Sequence, residues 1–152
     1  MITWRLKDLT VQLLARETWC KRWMKKPLSE SPFFLTLKNK DKKIFQDYYN
    51  ILTDDSRPGG AWNRDELPYE GFMDLYEDVK ENGIRDISTI TINKNVDRTI
   101  GDGQHRLAIL LHLGQRTITL PTNEEKELWT TKQQQGFYQA TMGTPANLKK
   151  AK

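Results

Sequence analysis

The chain predicts an α+β fold, and three observations within residues 72–121 carry that prediction. Two segments of helical periodicity, 72–84 and 105–113, alternate with short runs rich in β-branched residues at 87–93, 98–100 and 116–120. Gly83 and Gly114 stand where each helical segment has to stop. The order helix, strand, hairpin strand, helix, strand is an α+β arrangement.

The elements follow in order. Residues 5–25, RLKDLTVQLLARETWCKRWMK, repeat Leu6, Leu9, Leu13, Leu14 and Trp23 at near-helical spacing, which predicts an amphipathic helix ended by Pro27. On that helix Trp19 and Trp23, four apart, share one face and are expected in the core. FFLTL, 33–37, predicts a short strand. DKKIFQDYYNIL, 41–52, predicts a helix with Ile44, Tyr48 and Ile51 on one side. Residues 53–71 are dense in Gly, Pro and Asp and predict a long loop, and such loops in compact domains are often functional. In 72–84, Phe72, Leu75, Tyr76 and Val79 are expected to point inward. ISTITIN, 87–93, predicts a strand, KNVD, 94–97, a hairpin turn, and RTI, 98–100, the returning strand. GDGQ then turns the chain into the helix HRLAILLHL, where His112 is expected to pack or lie at the surface. RTITL, 116–120, is a last strand that Pro121 stops. The expected organisation is a helical extension, 1–52, packed on a domain at 53–124, followed by a partly loose tail at 125–152.

At 152 residues and 37% hydrophobic content there is material for one core, and too much for a wholly disordered chain. No apolar run approaches the roughly 20 residues a membrane span needs, and MITWRLKDLTVQ lacks a signal-type apolar stretch. A soluble, cytoplasmic protein with no membrane partner is expected. Cys20 is the single cysteine, so an intramolecular disulfide and a CxxC metal site are excluded. Its basic setting, ETWCKRW, favours a thiolate, but a plain thiol is the simpler reading. Residues 1–48 hold 11 Lys/Arg against 5 Asp/Glu, and residues 49–86 hold 4 against 10. The basic third, with WCKRWMKK at 19–26 interleaving aromatic and cationic groups, is compatible with a nucleic-acid surface or with a solvated face. The acidic middle argues against one continuous basic surface.

The densest chemistry lies in IGDGQHRLAILLHLG, 100–114, which contains both histidines of the chain. Gly101 and Gly103 permit a tight turn and close approach of a ligand to backbone. The helix that follows begins with unbonded N–H groups and the positive end of its dipole, a ready anion site. Arg106 adds a planar fork suited to phosphate oxygens, and Gln104 a hydrogen-bonding amide. His105 can donate to a phosphate or move a proton near neutral pH. Asp102 would repel a bare phosphate, so it makes sense as a ligand to Mg²⁺ or as an acceptor of a hydroxyl proton. The alternatives are ordinary: Asp102 as a turn residue, His105 as a structural histidine, Arg106 as an ion-pair partner.

These residues carry a resemblance. FMDLYEDVKENGI, ISTITIN and RTIGDGQHRLAILLHLGQRTITLP resemble, in order and spacing, the ParB/sulfiredoxin superfamily domain, including its signature strand, Gly-rich turn with Arg, helix and final strand. The resemblance covers 72–121, and reaches further if the 53–71 loop is included. It implies a small mixed sheet with helices, preceded here by the helical N-terminal extension. Among its branches the Asp-Gly-x-His-Arg form is most similar to the free serine kinases, matched here by Asp102, Gly103, His105 and Arg106. Gln104 stands where those kinases have His and where sulfiredoxin has its reactive Cys. Only about thirty residues follow Pro121, so the helix-turn-helix of a ParB clamp is not expected.

The resemblance implies an ATP-dependent phosphotransferase acting on a small hydroxyl substrate, with ATP (or CTP) and Mg²⁺. Gly101, Gly103, Gln104, His105 and Arg106 would bind the nucleotide, and Asp102 would hold the metal or act on the hydroxyl. An upstream acid would serve as base. Asp65, Glu66 and Glu70 are the candidates in RDELPYEG, and Glu66 is preferred, so the catalytic set is Asp102, His105 and Glu66. Arg64 and Arg57 could reach phosphates, and Trp62 could stack on a base or anchor the loop. Two other readings stay open: a ParB-like DNA-binding or regulatory module without turnover, some relatives being described as nucleases, and a degenerate fold member acting only as a protein partner.

Overall fold

The computed structural model describes residues 1–16, 21–53, 66–93 and 98–122. In chain order these form β1 (Ile2–Arg5), β2 (Thr10–Arg16), β3 (Lys21–Pro27), α1 (Pro32–Asn39), α2 (Lys42–Thr53), α3 (Tyr69–Asn82), β4 (Thr91–Asn93), β5 (Thr99–Asp102), α4 (Gln104–His112) and β6 (Thr117–Leu120). The fold is mixed α+β. A four-stranded sheet runs β3-β2-β5-β4, and β1 and β6 form a second, two-stranded sheet. Within the larger sheet β2–β3 and β4–β5 are antiparallel, while β2 and β5 are parallel. Helix α1 packs on α2 and α4, α3 packs on the same two helices, and α2 also lies against β2.

The N-terminal region departs most from the sequence reading. Where a helix is expected over 5–25, the described residues form strands: β2 and β3 pair from Thr10↔Pro27 to Arg16↔Lys21. Leucine tolerates either period, and the deciding term is tertiary. Residues on both faces of β2 are buried, Val11 and Leu13 on one and Leu14 on the other, and α2 packs against the strand. A strand covered on both faces shows no clean alternation, and its sequence is easily read as helical. Pro27 closes β3, an edge strand, where a missing N–H is tolerated. Trp23 is therefore not a core residue but 44% exposed on that edge strand, and Trp19 lies outside the described residues. The expected helical extension, 1–52, instead carries three strands and two helices.

Residues 33–37 are helix, not strand. Ser31 caps α1 by accepting the Phe34 N–H (3.2 Å), and Pro32 occupies its first position. In α2 the buried face is centred on Phe45 and Leu52, one residue beyond the Ile44 and Ile51 face predicted. Helix α3 begins at Tyr69, three residues earlier than predicted, and buries Phe72 and Val79. The predicted strand at 87–93 is half strand: Ile87–Thr89 form a 3-10 turn, started by Asp86 accepting the Ser88 N–H, before β4. The hairpin turn at 94–97 and the tail from 123 lie outside the described residues.

Phe33, Phe45 and Phe72 meet at the centre, with Phe45 and Phe72 stacked at 4.9 Å and 18°. Each such buried side chain contributes about 1.5–3 kcal/mol relative to exposure. This aromatic cluster forms the floor beneath the start of α4.

Candidate functional site

The junction of β5 and α4 is built by two close approaches. Thr91 pairs with Asp102 and Ile92 with Ile100, which leaves Gly101 as the extra residue of a bulge. A Cβ at Gly101 would stand 2.6 Å from Thr91 Oγ1. Gly103 adopts φ 98°, ψ 18°, and a Cβ there would come within 2.9 Å of Ile90 Cγ1. A side chain at Gly103 is thus barred by conformation and by space. Helix α4 starts at once. Its first intrahelical bond is Leu107 N–H to Gly103 O (2.9 Å), so the amides of Gln104, His105 and Arg106 have no intrahelical acceptor.

A cavity of about 410 Å³ opens over this junction. Gly101, Asp102, Gly103, Gln104, His105 and Arg106 form one side, and Glu66, just before α3, joins them. Tyr48 and Leu52 of α2, with Phe33 and Leu75, supply the apolar wall. Gln12 of β2 and Trp23 of β3 complete its lining. Residues far apart in sequence therefore converge: Glu66, Asp102, Gln104, His105 and Arg106, singled out from sequence, share one concavity.

His105 does not reach into open solvent. Its ring lies 4.3 Å from that of Phe33, 5.7 Å from Phe72 and 6.3 Å from Phe45. Its Nε2 stands 3.5 Å from Glu66 Oε1, both side chains being mostly buried, and makes no hydrogen bond among the described residues. Burial pushes the imidazole pKa down to about 4, the Arg106 charge adds to this, and Asp102 opposes it. Desolvation among the three aromatic rings is the largest of these effects. His105 is neutral at pH 7. It cannot supply an imidazolium to a phosphate there, and its accessible partner is Glu66.

Arg106 is held from behind. Its Nη1 donates to Asp86 O (2.9 Å) and to Thr89 Oγ1 (2.7 Å), and Thr89 Oγ1 donates in turn to Asp86 O (2.9 Å). The 3-10 turn that replaces the expected strand is thus the seat of the guanidinium. Burial lowers the Arg106 pKa, while Asp102 and Asp86 oppose this. Nη2 lies beside Gly103, 3.4 Å from where its Cβ would be. A guanidinium with one nitrogen committed and the other beside the turn is pre-organised, which lowers the entropy lost on binding an anion.

The sequence marks Tyr48 only as a packed residue. Its Oη accepts the Leu14 N–H (3.0 Å) and lines the cavity. Burial raises its pKa to about 12, the Leu14 hydrogen bond opposing and the Glu66 charge adding to the rise. Neither Tyr48 nor the pair Gln12 and Trp23 had a local signal, because their convergence depends on the β2–β3 pairing. Glu70, an alternative base, turns outward and sits 3.5 Å from Lys42. Arg64, Asp65, Arg57, Trp62 and Cys20 lie outside the described residues. His112 packs against Phe34 and Tyr76, at 6.3 and 5.8 Å.

Fold and site together define an α+β protein with a polar pocket at a helix N-terminus, backed by an aromatic cluster. No family model, no curated protein and no solved structure matches the chain. Among the described residues no helix is long and apolar enough to cross a membrane.

Proposed function

We propose that the chain is a nucleotide-binding member of the ParB/sulfiredoxin superfamily and transfers phosphate from ATP, or alternatively CTP, to a small hydroxyl compound. The observation that carries the reading is the convergence of Glu66, Asp102 and Arg106 on the cavity at the start of α4. The amides of 104–106 and Arg106 would hold phosphate oxygens. Among the described residues no three His, Cys, Asp or Glu side chains form a metal cage. Mg²⁺ carried in on phosphates needs only one or two carboxylates, and Asp102, exposed beside the turn, fits that part. Such an ion supplies charge neutralisation on the phosphates.

Glu66 is the base in this reading. The substrate hydroxyl gives its proton to the Glu66 carboxylate as its oxygen bonds to the γ-phosphorus, and the bridging oxygen leaves with the electron pair on the diphosphate. Neutral His105, its Nε2 3.5 Å from Glu66, would hold that carboxylate by donating to it once substrate is bound, rather than meeting the phosphates. His105 is then a positioning residue, not a phosphate ligand.

Thermal unfolding with Mg²⁺ and ATP, ADP, CTP or GTP tests binding. Ligand at about a hundred times its Kd adds roughly 2.7 kcal/mol to stability and must raise the melting temperature. The rise should vanish in Arg106→Lys, which keeps the charge but not the fork. Flat curves for every nucleotide overturn the proposal. One observation favours a DNA-binding module as second reading: Lys25 and Lys26 are exposed together on β3. That reading requires DNA binding with a steep salt dependence, lost in Lys25→Ala/Lys26→Ala.

A further inference from the structure

The β2–β3 side of the cavity has no part in the phosphate chemistry above. Gln12 and Leu14 are two apart on β2 and share a face. Trp23 is the cross-strand partner of Leu14, and Lys25 that of Gln12, so Gln12 and Trp23 are diagonal neighbours on that face. Both line the cavity. Gln12 is exposed, and the Trp23 indole keeps 44% of its surface accessible. The hairpin does not float. β2 pairs with β5 at Thr10↔Thr99, and at Leu14 the strand is tied to α2 through the Tyr48 hydroxyl. Helix α2 supplies Tyr48 and Leu52 to the same cavity.

We infer that Gln12 and Trp23 form the ring-binding subsite of the pocket, with the indole stacking on a nucleobase and the Gln12 amide hydrogen-bonding its edge. The inference rests on the reading of 103–106 as the phosphate end. An indole face suits any base, whereas an amide offers both a donor and an acceptor and can choose between bases. The subsite lies in residues outside the 72–121 resemblance, so base preference is set by the N-terminal hairpin and not by the glycine turn.

Calorimetric titration of the full chain with adenosine, tripolyphosphate and MgATP separates the two ends. Trp23→Ala should weaken adenosine and MgATP by roughly 5- to 150-fold, the range expected for loss of one stacked base. Tripolyphosphate affinity should stay unchanged, and Trp23→Phe should fall between wild type and Trp23→Ala. Gln12→Leu should narrow any preference between ATP and GTP. The inference is overturned if wild type binds neither adenosine nor MgATP, if Trp23→Ala binds both as wild type does, or if it loses tripolyphosphate as fully as MgATP. Adenosine binding that Trp23→Ala removes, with no tripolyphosphate binding in wild type, supports the ring subsite and overturns the phosphate end alone.

Discussion

In the unfolded chain the His105 imidazole takes a proton near its ordinary pKa of 6.5, whereas burial in the folded protein pushes that pKa down to about 4. Between those values the unfolded state binds more protons than the native state, so acid favours unfolding. The linked stability is fully present above about pH 6.5 and is lost as pH falls toward 4. Its size is roughly 3 kcal/mol, since lowering a pKa by one is worth about 1.4 kcal/mol. Urea unfolding at a series of pH values should show this slope, and His105→Gln should flatten it. An equal slope in both proteins would mean that other groups carry the acid sensitivity. The sequence supported both readings of His105, and its position in the first turn of a helix suggested a ligand. The aromatic rings that neutralise it come from α1, α2 and α3, and no local pattern announces them.

At the scale of elements, a hydrogen bond from Leu14 to Tyr48 joins the β2–β3 hairpin to α2. Leu14 is buried, and its N–H is satisfied by Tyr48 Oη at 3.0 Å. Tyr48→Phe keeps the ring in the cluster but removes the acceptor. A buried donor left without a partner costs about 1–3 kcal/mol, and urea denaturation should register a loss in that range. A change below about 0.5 kcal/mol would mean that the strand finds another acceptor. Helix α1 shows how an element signal can be outvoted. FFLTL reads as strand by composition, yet Ser31 followed by Pro32 is a helix start, and the cap decided the outcome. In β2 no such cap exists. Its Leu-rich pattern was ambiguous, and pairing with β3 and β5 settled it.

For the molecule as a whole, the sheet order β3-β2-β5-β4 makes β3 an edge strand, and the exposed charges of Lys25 and Lys26 lie on it. Charged edges discourage pairing with a second chain. Lys25→Ile/Lys26→Ile should leave the fold in place and raise self-association, read as a concentration-dependent increase in sedimentation coefficient. A variant that stays as dispersed as wild type would show that the edge is protected by something other than these charges. The same geometry gives the basic N-terminal cluster an account that needs no nucleic acid.

The sequence by itself determined the α+β class, the helices at 41–52 and 72–84, the last strand, and the turn that starts α4. These rest on local physics: helical period, β-branched runs, and glycines where a side chain does not fit. It also named Glu66, Asp102, Gln104, His105 and Arg106, which the fold brings to one cavity. Only the tertiary structure decided that β2 and β3 are paired strands, that Trp23 and Gln12 face that cavity, and that Asp86 and Thr89 hold Arg106. Each of those facts depends on contacts between segments distant along the chain, and the free energy of such contacts is not written in any short window of sequence.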